Sequence, residues 1–253
     1  MATTLHPPVG TARPGWAPSA TAARAAHDTP RRHLAWLAGG AAMSFAVPYV
    51  LADRLGIQRD VYYGLYAAAV AALSAGWAAD TGLSLRALCA RRWRLAVALG
   101  LVFAAASAMI VVRSEDATPH PGGLEFLAAL GWRGVVYGAA DGVLLSAFPI
   151  LVVFAALRRT RLRRRRGGLL AAGALALAAS LAMTATYHLG YADFRSSKLR
   201  KPLTGDLVWS VPTLATLNPV GAPIAHAGLH VAAVTHSYET DLFLPPHRQG
   251  DAR

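Results

Sequence analysis

Thiols and lysines are almost missing from this chain. Cys89 is the only cysteine, which excludes an intrachain disulfide and a metal site built on several thiolates. Lys198 and Lys201 are the only lysines among 25 basic residues, and the 13 acidic residues are scattered. The sequence has no Gly-rich phosphate loop, no nucleophile elbow and no H-E-x-x-H pair. Those absences argue against nucleotide, serine-hydrolase and zincin chemistry. The chain is instead 55% hydrophobic, with several runs close to the roughly 20 apolar residues that cross a bilayer. A formal charge of +12 in a soluble protein would suggest nucleic acid. Here the arginines fall between apolar runs, so a charged membrane face is the better reading and no nucleic-acid partner is expected. Arginine and alanine in place of lysine suggest a high-GC bacterial genome.

Apolar segments run at about 34–52, 61–79, 95–112, 135–157, 168–189 and 207–235. The fold expected is all-α: a polytopic helical membrane protein of about six transmembrane helices, with an interfacial or re-entrant helix at 124–134 and a broken last segment. Pro212, Asn218, Pro219 and Pro223 make that last segment one kinked helix or a re-entrant piece followed by a span. Residues 1–32 are expected to be a disordered cytoplasmic tail, 33–237 the membrane domain and 238–253 a polar C-terminal tail. The first apolar run lies too far in for a cleaved signal peptide and is expected to stay as an anchor.

Arg31 and Arg32, then Arg86, Arg91, Arg92 and Arg94, then the run from Arg158 to Arg166 occupy alternate loops. The intervening loops are nearly neutral or acidic. The positive-inside rule then puts the N-terminus in the cytoplasm of a bacterial inner-membrane protein. Membrane lipids are the expected neighbours, and the arginine run is read as a topology determinant.

Ionisable side chains inside membrane segments cost free energy and usually mark a functional interior. His226 and His230 are spaced i and i+4, so they share one helical face. With His188 at the end of the preceding segment, and Asp193 five residues beyond it, they form a candidate divalent-metal set. Imidazole and carboxylate suit zinc or iron; the sequence leaves the cofactor open, with zinc as the candidate. Asp141 is an acidic residue in an apolar stretch, and reads equally as a pair partner of Arg133 or as a cavity residue. Trp132 and Arg133 read as an interfacial anchor or as an inward arginine that positions a carbonyl.

Taken in order, three short motifs resemble the CPBP (Abi) family of intramembrane proteases, which includes the CAAX prenyl proteases. Ala128-Ala129-Leu130-Gly131-Trp132-Arg133-Gly134 resembles the family's first motif, Thr184-Ala185-Thr186-Tyr187-His188 its second, and His226-Ala227-Gly228-Leu229-His230 its third. The likeness covers roughly residues 124–235. It implies a membrane-embedded peptidase with Arg133, His188, His226 and His230 at its site, and a membrane-embedded or lipidated peptide as partner. Ala128 and Ala129 stand where the family carries the paired glutamates that activate water. Glu125, one helical turn before Ala129, is the remaining candidate base. The resemblance therefore implies a divergent or catalytically impaired member that keeps a His-lined cavity. Two further readings stand beside it: a metal-dependent membrane hydrolase using His188, His226 and His230, and a non-enzymatic membrane component or transporter.

Overall fold

The computed structural model describes residues 28–160, 162, 167–239 and 243–245. Most of the expected N-terminal tail, and the arginines at 161 and 163–166, lie outside them. The described residues are helical and contain no strand, as the apolar runs implied. Among them, five helices are long and apolar enough to cross a membrane: α1 (Pro30–Arg54), α2 (Arg59–Thr81), α4 (Trp93–Ser114), α5 (Gly123–Leu157) and α6 (Gly168–Leu189). A short helix, α3 (Leu85–Ala90), links α2 to α4. Leu101, Val102, Leu124, Leu169 and Leu170 are exposed on the outside of the bundle, where lipid rather than water is their solvent. The protein is a multi-pass membrane protein.

Helix ends are tied at two faces. On one, which we call the arginine face, Thr29 caps α1, and Arg32 pairs with Asp80 at 2.8 Å. Asp28 meets Arg158 and His33 there. Helix α1 thus begins at Pro30, inside the stretch expected to be tail. On the far face Arg195 pairs with Asp53, and Arg133 grips both carboxylate oxygens of Asp60 at 2.8 Å each.

The region 124–134 is not a separate helix. It is the outer third of α5, which continues through π-helical turns at Leu130–Tyr137 and Gly142–Ala147. Such wide turns change which residues face the neighbouring helix and often occur at functional sites.

The last apolar segment is a hairpin. Helices α7 (Arg200–Trp209) and α8 (Val211–Thr216) run from the far face to the arginine face, and α9 (Gly221–His236) returns. Both ends fix this direction. Asn218 donates to the Cys89 and Arg91 carbonyls on the arginine face, while His236 lies 3.0 Å from the Glu115 carbonyl on the far face. Leu217 takes a left-handed conformation (φ 52°) at the turn, a cost of about 1–2 kcal/mol that the Asn218 bonds offset. The hairpin adds a limb to the six crossings expected. Its first limb starts at Arg200 rather than near 207, because Asp206 and Ser210 are buried in the bundle and hide it from a hydropathy scan.

Single cysteines at 91 and 239, in a chain whose Cys89 is replaced by Ser, should therefore sit on opposite membrane faces. A membrane-impermeant maleimide applied to intact cells should label one and spare the other. Labelling both, or sparing both, would put them on one face and rule the hairpin out.

Candidate metal centre

Three elements bring the candidate site together. Helix α9 is clamped between α4 and α5 by small residues, which let backbones approach closely in a membrane. Gly134, Gly138 and Gly142 of α5 face Val231, Ala227 and Pro223 of α9 in register. A Cβ at Gly142 would lie 2.6 Å from the Pro223 Cα, and one at Gly138 would lie 2.7 Å from the Ala227 Cα. On the other side Gly228 meets Ala104, and Gly100 meets Gly221. This approach sets Asp141, the residue before Gly142, against the His226/His230 face of α9.

One ligand atom each from Asp141, His226 and His230 lie within 4.8 Å of one another, and all three side chains are buried. Asp141 Oδ2 is 3.9 Å from His226 Nδ1 and 3.5 Å from His230 Nε2. Those two ring nitrogens are buried without a hydrogen-bond partner.

Their outer nitrogens say which tautomer each ring holds. His230 Nδ1 is 2.7 Å from the Phe243 carbonyl, which can only accept, so Nδ1 carries the proton. Ser146 Oγ donates to Asp206 Oδ1 at 2.8 Å, so it accepts from His226 Nε2–H at 3.4 Å. Both inner nitrogens then present lone pairs to a carboxylate oxygen. Tyr66 holds the other oxygen of Asp141 by a 2.7 Å hydrogen bond. With both rings neutral, three electron-rich atoms meet with no proton among them, an arrangement that a cation would stabilise; a proton on an inner nitrogen would make an ion pair with Asp141 instead.

No family model, curated protein or solved structure matches this chain. What the site can do must be read from its own chemistry.

The residues singled out in the sequence fall in different places. His226 and His230 are together, but the carboxylate beside them is Asp141. Asp193 sits in a short 3-10 turn on the far face, outside this group. His188 lines the same cavity, its Nδ1 donating to the Thr184 carbonyl at 2.8 Å, but it is not in the group of converging ligand atoms. Arg133 is held at the far face by Asp60 and by the Tyr238 hydroxyl, so it is not the partner of Asp141. Trp132 donates to the Asp60 carbonyl beside it. Glu125 is exposed at the outer end of α5, and Ala128 is exposed too, so no carboxylate of the first motif reaches the cavity.

The cavity above the group has a volume of about 750 Å³ and opens toward the far face. Trp209 lies over His226, with ring centroids 4.7 Å apart. Tyr137 and Tyr187 form part of the wall, their hydroxyls 2.6 Å apart, and Tyr62 and Tyr191 extend that buried hydroxyl chain. Asp206 is buried among Ser146, Ser180 and Ser210. Sequence reading missed Asp206, because it closes a polar stretch that resembles a loop. It missed Phe243 as well: the expected polar tail carries Phe243 to Pro245 back over the cavity, with Leu244 fully buried.

Proposed function

We propose that this protein is a membrane-embedded, metal-dependent hydrolase, with Asp141, His226 and His230 holding the ion. One observation carries the reading: two buried imidazole nitrogens without a hydrogen-bond partner converge on a carboxylate oxygen of Asp141. Three protein ligands and an open cavity are the pattern of a catalytic rather than a structural zinc site. When bound, such an ion supplies an acidified water and a Lewis acid for a carbonyl.

The chain's own residues supply the rest. Ser146, backed by Asp206, and the Phe243 carbonyl orient the two imidazoles. Tyr66 orients Asp141. The Tyr137 and Tyr187 hydroxyls are donors suited to a carbonyl oxygen that gains negative charge. In hydrolysis of an ester or amide, water adds to the carbonyl carbon, the bond to the leaving oxygen or nitrogen breaks, and a proton passes to the leaving group. The alternating arginine loops support a reading in which the arginine face lies in the cytoplasm of a bacterial inner membrane and the cavity opens to the outer side.

A second reading is a CPBP-like protein that binds a membrane peptide without cutting it. It is favoured by one observation, that His188 and the His226/His230 pair of the second and third motifs line a single cavity.

The test is turnover of ester- and amide-linked lipids by zinc-loaded protein, read as released fatty acid by mass spectrometry. Chelation should stop release, zinc should restore it, and Asp141→Asn should leave less than about one hundredth of the rate. A zinc-loaded protein that releases nothing from lipid or membrane peptide would sink the hydrolase reading.

A further inference from the structure

The rim of the cavity carries Lys198, Arg200 and Lys201, all exposed and without a carboxylate partner among the described residues. Two other far-face arginines behave differently: Arg133 is paired with Asp60 and Arg195 with Asp53. The three unpaired cations are consecutive in space, because the short turn Ser197–Leu199 runs directly into α7. Basic residues at a membrane surface commonly snorkel to headgroups without selecting among them. Here they instead ring the mouth of a cavity whose deeper wall is apolar, including Ile110, Leu145 and Leu229.

From these features we infer that the substrate is an acyl lipid with an anionic headgroup, held by Lys198, Arg200 and Lys201 while its ester or amide bond lies deeper. The inference deepens the hydrolase reading and rests on it for the reacting bond. Depth agrees with this order. Lys201 and Trp209 are eight residues apart on one limb of the hairpin, about 12 Å of helical rise, and Trp209 covers His226. A flexible lysine stem shortens that gap to the few bonds between a lipid phosphate and its first carbonyl. A cavity of about 750 Å³ holds a headgroup and the start of the chains, not a whole lipid. Ile110 and Ser114 of α4 and Gly205 and Val208 of α7 line the cavity. They lie on the far-face side of the buried Trp209–Ser107 hydrogen bond that joins these two helices, and the remaining chain length would leave between them there. Ile110 and Leu207 are exposed at that seam.

Headgroup choice can be measured without turnover. Trp209 at the cavity floor is quenched on contact by lipids brominated near the carboxyl end of the chain. Subtracting the signal of a Trp209→Phe variant removes the contribution of lipid-facing tryptophans such as Trp93 and Trp132. In detergent-solubilised full-length protein, brominated phosphatidylglycerol should reach half-quenching at about tenfold lower concentration than brominated phosphatidylcholine. The Lys198→Gln/Arg200→Gln/Lys201→Gln variant should bring the two within about twofold, while Arg133→Gln should keep the difference. Millimolar inorganic phosphate should not displace the lipid. Equal quenching by both lipids, a preference that survives the triple variant, or displacement by phosphate alone would each overturn the inference. A headgroup preference in a zinc-loaded protein that hydrolyses nothing would sink the hydrolase reading and spare this one. Turnover with no preference would do the reverse.

Discussion

Protein purified with zinc in the medium is expected to carry about one ion per chain, and the His226→Ala/His230→Ala variant none. The double variant removes two of three ligands. What remains is a buried carboxylate with Tyr66 as its donor, too little to hold a divalent ion against water. Asp141→Asn keeps the shape and the Tyr66 contact but loses the charge, and should weaken zinc binding by more than about a hundredfold. His188→Ala should bind zinc like the parent, because that ring is not among the three side chains whose ligand atoms converge. Elemental mass spectrometry after desalting, with a competition titration against a chromophoric chelator, measures all four proteins. A parent that stays metal-free after loading, or a double variant that keeps its ion, would remove the metal centre. Loss of zinc in His188→Ala would restore the three-histidine set suggested by sequence.

The second large effect concerns helix contact. Gly142→Ala is expected to destabilise the bundle by about 1–3 kcal/mol, and Gly142→Leu to prevent folding. The added Cβ would meet backbone atoms of α9, the Pro223 Cα at 2.6 Å and the Ala222 carbonyl at 2.7 Å, and backbone cannot rotate aside as a side chain can. Relief requires α5 and α9 to separate. Because Asp141 is on one helix and the histidines are on the other, the same separation should lower zinc affinity by about 10–100-fold. Gly173 is a matched control, since a Cβ there would meet nothing within 4 Å. Gly173→Ala should leave both quantities unchanged. Thermal unfolding in detergent and the zinc titration together decide the matter. A stable Gly142→Ala protein with parental zinc affinity would mean that this close approach does not position the site.

The fold class was legible because membrane helices announce themselves through apolar length. The prolines around 212–223 marked the break but not its direction. That direction depends on Asn218 reaching the Cys89 and Arg91 carbonyls, a contact between residues far apart in the chain. The site was half legible. An i, i+4 histidine pair declares its shared face, whereas choosing between Asp193 and Asp141 needs to know which helices touch. Residues 134, 138 and 142 were readable as a stripe of glycines, and that stripe is what selects Asp141. Asp206 was hidden for the opposite reason: a carboxylate satisfied by three serines from separate segments has no local signature. The resemblance to the intramembrane proteases rested on motifs whose arginine the structure holds at the far face, beside Asp60.

The fold of Phe243 to Pro245 over the cavity has a consequence for how the protein matures. The carbonyl that fixes the proton on His230 belongs to a residue translated after every described helix. Asp141 is inserted early and the two histidines late, so a nascent chain holds the halves of the centre apart. Until residue 243 arrives, His230 lacks the carbonyl that fixes its proton, although Tyr137 already bounds its ring. Among the described residues, the candidate centre is therefore completed only after all the helices that carry it, by the segment Phe243 to Pro245.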